Sequence, residues 1–583
     1  MTHTTPRAPQ RWKATAQLPV FDGLILLALT AATAWLRHSC VPWSDVSGDA
    51  YMALECAWKM WNGDLAATPS QPIYGYGLCA SMAGLYLGAE ELWQVAVRRA
   101  LTGTFVVPAF YLLTLCSVPR LFGTGPATTR FAGVAVGLFA LSNDLLGVMA
   151  TSGTLGYFAP PMIGLIFICW SIALGRSAPL LSVLGLALVP MAMMNHPFSL
   201  WLVPTALIFA PALAQRSGRR ALAGGFALAV LISMPRLLQL LELVRREENW
   251  LYGLKLIADP GGRLDEPYAQ KLWQDLQNPE NMMIPLALLL AALTPLLLKS
   301  PRGAPHERRL WAMAALASAG VVVLVGVSIH YLRSYHVMLL YPFAAIAAAG
   351  WLALAAERFA PHLKRRIPIN RINHSFQRWK VATITVTSCW LLVGAGVFSL
   401  MDKSELRPDE DHCTGGFKNT STAASARIVT NRIEEDLPGH AIVLENLRPS
   451  DGGVDSAVSI ALDLLLRGLR EGQLRCCEPG STPTWYWIVD WRGIPTDFRK
   501  LAAELDEVEL LLELEVAEEL VLAVRSEAAR LAVGEALCGG LGPEEFVSGR
   551  TYRTYLGNLL VPGCDEPPPP EPYPACMSDR VIF

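Results

Sequence analysis

The stretch WSDVSGDAYMALECAWKMWNGD, residues 43–64, follows directly on an apolar run, and the rest of the chain is arranged around it. It holds two carboxylates four residues apart, Asp45 and Asp49. After them Tyr51, Leu54, Trp58 and Trp61 recur at helical spacing, the pattern of an amphipathic helix lying along a membrane surface. A carboxylate fixed at the water–lipid boundary is placed to take a proton from a polar acceptor while a lipid-borne donor stays in the bilayer. The plainer reading of Asp49 is an N-cap for a helix over Ala50–Asn62, and the stretch alone leaves both open.

Working outward, the 583 residues are 52% hydrophobic and only 17% charged, with a mean hydropathy of +0.34. Globular domains carry roughly 25% charged residues, and here the charges cluster between long apolar runs, as in a multi-pass membrane protein. The formal net charge of -2 excludes nothing by itself, but no basic block points to nucleic acid. The N-terminus is basic (Arg7, Arg11, Lys13) ahead of an apolar run long enough to span. A small-residue site at Ala32–Ala34 lies inside that run, so a retained first helix is expected over a cleaved signal peptide.

The expected fold is a membrane all-α bundle of about eleven transmembrane helices followed by a C-terminal soluble α/β domain. The spans fall at 20–37, 98–118, 131–148, 152–174, 179–194, 198–214, 221–240, 283–298, 310–329, 337–356 and 381–400. With a cytoplasmic N-terminus (1–19), the inside loops hold Arg120 and Arg130, Arg176, Arg216, Arg219 and Arg220, then Lys299, Arg302, Arg308 and Arg309, and the basic Arg358–Lys380 segment. The outside turns at Ala150 and His196 carry no Lys or Arg. This topology places the outer loop 38–97, Asp144, Asn195–His196, the 241–282 loop and the His330–His336 turn on one face.

The membrane part is expected to run over 20–400, an extracytoplasmic α/β domain over 401–563 and a proline-rich tail, containing EPPPPEPYP, over 564–583. In the α/β part, Ala423–Asp436, Asp455–Glu471 and Phe498–Leu505 have helical spacing. His440–Leu444, Trp485–Val489, Glu507–Leu514 and Leu520–Val524 read as strands. Six of the twelve cysteines, Cys413, Cys476, Cys477, Cys538, Cys564 and Cys576, fall in this exported part, where disulfides persist. Cys40, Cys56 and Cys79 share the first outer loop, which has room for one pair. Their spacings make no zinc motif.

SDVSGDAYMALE is followed by NGD (62–64), PIYGYG (72–77) and Arg98–Arg99 at the opening of the second span. In that order these motifs resemble the GT-C superfamily of integral-membrane glycosyltransferases, the class of protein O-mannosyltransferases and lipid A aminoarabinose transferases, over residues 20–400. The resemblance implies an inverting-type transferase that moves a sugar from a polyprenyl-phosphate donor to a lipid, glycan or protein acceptor at the outer face. It implies a general base in the first outer loop. Asp49 fits the family's Gly-Asp-aromatic pattern and Asp45 its position after the first helix, and the paired Asp-Glu of some members is absent.

Asp144, in LSNDLLG near the outer end of the third span, is a carboxylate at membrane depth; the resemblance would have it hold a metal or the donor's phosphate, and the plain reading is a polar helix end. A divalent metal has ligands in Asp45, Asp49 and Asp144 only if the fold brings them together. For the donor phosphate, Arg333 and His336 in HYLRSYH are the candidates, since a guanidinium binds phosphate oxygens in bidentate fashion; an arginine there also serves to reach the headgroups. His196 in MNHPFSLW is a third candidate, although a turn histidine before Pro197 is the plainer reading. No GxSxG, Walker A or HExxH motif is present. The alternatives are a transporter or flippase for a lipid-linked glycan, which requires polar groups deep in several helices, and a non-catalytic scaffold. Arg-over-Lys and Ala-rich usage points to a bacterial inner membrane with the C-terminal part in the periplasm.

Overall fold

The computed structural model describes residues 20–43, 48–61, 63, 76–142, 158–245, 288–295, 305–328, 334–366 and 423–436, the stretches 442–449, 484–490, 508–514, 519–524 and 546–548, and isolated residues among the last of these. Most of this is helix. α1 (Val20–Ser39) leads through a 3-10 turn at Val41–Trp43 to α2 (Gly48–Trp61) and α3 (Tyr76–Ala83). A second 3-10 turn, Gly84–Tyr86, precedes α4 (Leu92–Gly103), which continues through Thr104 and Phe105 into α5 (Val106–Phe122). α6 (Pro126–Ser142), α7 (Ala159–Gly175) and α8 (Pro179–Asn195) follow, and the 3-10 segment Pro197–Trp201 opens α9 (Leu202–Ser217). α10 (Arg219–Arg245), α11 (Pro305–Ser328), the short α12 (Ser334–Met338) and α13 (Tyr341–Arg366) complete the bundle.

The starts and stops have local causes. Proline stands in the first turn of α6, α7 and α8, where its missing N–H costs nothing. Gly123 ends α5 in the left-handed conformation, φ 71°. Five helical stretches are long and apolar enough to cross a membrane: Val20–Ser39, Leu92–Phe122, Phe198–Ser217, Arg219–Leu238 and Pro305–Val325. Pro126–Leu141, Ala159–Gly175 and Pro179–Asn195 are apolar but shorter, close to the minimum of about 17 residues for a crossing. This is a helical architecture compatible with an integral membrane protein. Eleven membrane-length helices are not found among the described residues. The third expected span is described as helix from Pro126 as far as Ser142, and Asp144 and the stretch 381–400 lie outside the described residues.

Lipid tails are as apolar as leucine, so packing rather than hydrophobic transfer must hold such helices together. Phe167, Trp170, Trp201, Phe209, Phe343 and Trp311 form a connected aromatic cluster in the core, with Phe167 edge-on to Phe343 at 4.9 Å. Close approach depends on small residues: a Cβ on Gly164 would overlap the Tyr341 hydroxyl, and one on Gly350 the Phe122 ring.

Polar contacts sort the helix termini into two ends. At one end Arg130 (α6) grips Asp22 (α1) through two hydrogen bonds of 2.7 and 2.9 Å, and the Tyr111 hydroxyl donates to the same carboxylate at 2.7 Å. Arg120 (α5) pairs with Glu307 (α11) at 2.6 Å, Arg216 (α9) reaches the same glutamate, and Glu357 (α13) accepts from the backbone N–H of Gly125 and, at 3.2 Å, from the Thr128 hydroxyl. The opposite end gathers the C-terminus of α1, all of α2 and α3, the start of α4, the C-terminus of α8 and the starts of α7 and α13, the last two joined by a Tyr341 hydroxyl to Pro160 carbonyl hydrogen bond of 2.9 Å.

Beyond the bundle, α14 (Ala423–Asp436) packs on the Val41–Trp43 turn and on α4. A five-stranded mixed sheet comprises β1 (Ile442–Pro449), β2 (Thr484–Asp490), β3 (Val508–Leu514), β4 (Glu519–Val524) and β5 (Phe546–Ser548) in the order β3-β4-β2-β1-β5. β1 and β2 are parallel, with Ile442 opposite Thr484, and the other pairs are antiparallel. A register shift interrupts β3–β4 between Leu510 and Leu512. β1 starts at Ile442 and runs on to Pro449, beyond the expected His440–Leu444; 455–471 and 498–505 lie outside the described residues apart from Asp463 and Arg467.

Candidate active site

α2 carries Asp49 as its second residue. The helix starts at Gly48, so Asp49 stands within its first turn and is not the residue preceding a helix that begins at Ala50. α2 is fastened from behind. Cys56 and Cys79 form a disulfide to α3 with Cα atoms 5.3 Å apart, and the Tyr86 hydroxyl donates to the Leu54 carbonyl at 2.9 Å. Trp58 meets the Tyr86 ring edge-on at 5.6 Å.

α3 in turn is locked to the end of α8. The Ser81 hydroxyl donates to Asn195 Oδ1 at 2.8 Å, and Asn195 Nδ2 donates to the carbonyls of Met191 (2.9 Å) and Gly77 (3.4 Å). Gly77 permits this approach, because a Cβ there would lie 2.5 Å from the Cβ of Met194. The next residue is His196. Its ring centroid is 5.6 Å from that of His336 in α12, and Phe198 stacks on His336 at 3.6 Å.

The fold thus brings together two sequence-predicted residues, His196 and His336, 140 positions apart. Both are buried, each 2% exposed. Burial pushes the His196 pKa down to about 3, so its ring, in the turn between α8 and α9, is neutral at physiological pH. Asp45, Asp144 and Arg333 lie outside the described residues. Among the described residues no three His, Cys, Asp or Glu side chains converge as metal ligands.

Two arginines at this end were not among the candidate site residues, Arg99 having entered the sequence analysis only as half of the Arg98–Arg99 motif. Arg37, in the last turn of α1, is 1% exposed, and Arg99, in α4, is fully buried. The neighbouring Arg98 serves the scaffold. It donates to the carbonyls of Leu85 (2.8 Å), Leu87 and Gly88 (3.3 Å), binding α4 to the Gly84–Tyr86 turn. The only signal for Arg99 was the doubling of arginine at 98–99. Arg37, at the end of an apolar run, reads as a headgroup contact until α4 is seen packed on α1.

A cavity lined by Ser117, Arg120, Trp170, Ser171, Glu307 and Trp311 lies at the opposite end, and at about 20 Å³ it has room for a single water but no substrate. No protein-family model matches the chain, and no curated protein matches it.

Proposed function

We propose that the chain is an integral-membrane glycosyltransferase moving a sugar from a polyprenyl-phosphate-linked donor to an acceptor at the face of the membrane that bears α2. The observation that supports this reading is the fastening of α2, with Asp49 in its first turn, by a disulfide and a hydrogen bond to the bundle end where His196 and His336 meet. A catalytic base at a membrane surface must be held still relative to a donor that arrives through the bilayer.

In the proposed step Asp49 or Asp45 takes the proton of an acceptor hydroxyl as its oxygen bonds the anomeric carbon. The bond from that carbon to the phosphate oxygen breaks, and polyprenyl phosphate leaves with the electron pair. Arg333 and His336 would meet the leaving phosphate, joined by the buried cations Arg37 and Arg99. Neutral His196 would contribute a hydrogen bond rather than charge. The full proposal has about eleven spans, a cytoplasmic N-terminus and a soluble periplasmic domain from residue 401 in a bacterial inner membrane. Asp144 would assist a metal or the phosphate.

The test is transfer of labelled sugar from a mixed pool of polyprenyl-phosphate donors by purified protein, with membrane extract as acceptor. Asp49→Asn or Asp45→Asn is expected to lower the rate by roughly 10²-fold or more in a protein that still folds. Transfer untouched by either change would remove the base assignment; no transfer from any donor would put the non-catalytic scaffold in front.

A further inference from the structure

α4 lacks a cap of its own. The residue before it, Glu91, is extended (φ -147°, ψ 155°), and its side chain makes no capping hydrogen bond. The first N–H groups of a helix need acceptors. Leu92 N–H finds one 371 positions away in sequence: it donates to Asp463 Oδ1 at 2.6 Å, and Asp463 is 1% exposed. Glu91 is turned instead toward Arg427 of α14 (3.1 Å) and Arg467 (3.5 Å). Arg467 also pairs with Asp463 at 3.1 Å and donates to Asn431 Oδ1 of α14 at 2.6 Å, while the Arg427 guanidinium lies 5.1 Å over the Trp93 ring.

We infer that the C-terminal part of the chain is a positioning clamp: Asp463 caps α4 in trans, and the Glu91–Arg427–Arg467 cluster holds α14 against the turn leading into the acidic stretch. α14 touches both elements that the clamp would fix, α4 with its buried Arg99 and the Val41–Trp43 turn, which ends two residues before Asp45. A cap supplied by a distant segment makes the order of the helix depend on docking of that segment. Asp463 and Arg467 are therefore positioning residues, acting on the acidic stretch through α4 and the turn. Their effect on transfer rests on the function proposed above, whereas the clamp does not.

The experiment separates the two. In full-length protein in detergent, amide exchange of the first turn of α4 (Leu92–Val95) is compared among wild type, Asp463→Ala and Asp463→Asn. Asparagine caps as well as aspartate. The alanine variant should exchange roughly fivefold to tenfold faster there and the asparagine variant near the wild-type rate. Exchange in the alanine variant equal to wild type would overturn the clamp, and equal acceleration in both variants would overturn the capping role. Should Asp463→Ala fail to fold, Arg427→Met, which keeps the cap and breaks the Glu91 contact, is read the same way: faster exchange supports the clamp and unchanged exchange overturns it. In the transfer assay the alanine variant is expected to lose kcat with donor KM little changed, and the asparagine variant to recover it. A wild type without transfer would defeat the proposed function and leave the exchange result standing.

Discussion

At the junction of α8 and α9 the His196 ring is enclosed beside Phe198 and His336, and removal from water penalises its charged form. Its pKa in the folded protein, about 3, lies below the ordinary 6.5. Stability linked to it is therefore fully present above pH 6.5 and is lost as the pH falls from 6.5 towards 3, because only the unfolded chain takes up the proton readily. The slope within that window is roughly 1.4 kcal/mol per pH unit for one such group. Thermal unfolding in detergent at pH 7.5 and pH 5 should show the acid destabilisation, and His196→Gln should flatten it; an unchanged slope would mean that the ring is not buried as found. The sequence carried half of this. Asn-His-Pro marked a turn and the expected topology put it on the same face as the His330–His336 turn, but the direct meeting of the two rings across 140 residues is set by packing and not by local pattern. The burial of Arg37 and of Arg99, the latter named in the sequence only as part of the Arg98–Arg99 pair, was hidden for the same reason: an arginine that reaches headgroups and one that is buried look alike until the facing helix is placed.

Among the elements, α2 is short and surface-like in sequence, and its position comes from what is behind it. The Cys56–Cys79 bridge closes a loop of 23 residues' separation, and crosslinks of this size contribute about 2–4 kcal/mol. Cys56→Ser with Cys79→Ser is expected to lower the unfolding free energy by about that amount and to expose α2 to protease at Lys59, as read by limited trypsin digestion of folded protein. A digestion pattern like that of wild type would mean that the Tyr86 and Trp58 contacts suffice. The helices were legible where apolar runs coincide with proline starts and glycine stops, as in α5 to α8, since these signals are local. The Cys56–Cys79 choice was not, because Cys40, in the same loop and also disulfide-bonded, offered an equal partner by spacing. Neither was the cap of α4, which is supplied by Asp463 from a segment with no sequence mark of its role.

Across the whole molecule, the alternation of helix direction puts Arg120, Arg130, Arg216, Arg219 and Arg308 at the end that holds the Asp22–Arg130 and Arg120–Glu307 pairs, while α2, α3, α4's start and α14 share the other. The arginines of these expected inside loops thus share one physical end of the bundle, while Arg37, Arg98 and Arg99 lie toward the other. Arginine is retained on the cytoplasmic side during insertion, so the proposed orientation has the arginine end inward and the α2 end outward. Exposed positions at each end make the assignment measurable. Leu87, 67% exposed beside the Gly84–Tyr86 turn, marks the α2 end, and exposed Arg219 at the start of α10 marks the other. Labelling is read against the parent protein, whose own cysteines set the background; of these, Cys116 and Cys169, free among the described residues, lie within α5 and α7. A membrane-impermeant maleimide applied to intact cells is expected to label a Leu87→Cys protein before the membrane is opened, and an Arg219→Cys protein only afterwards. Labelling of Arg219→Cys in intact cells, with Leu87→Cys protected, would invert the orientation and carry the α2 end, with its aspartates and the α14 clamp, into the cytoplasm.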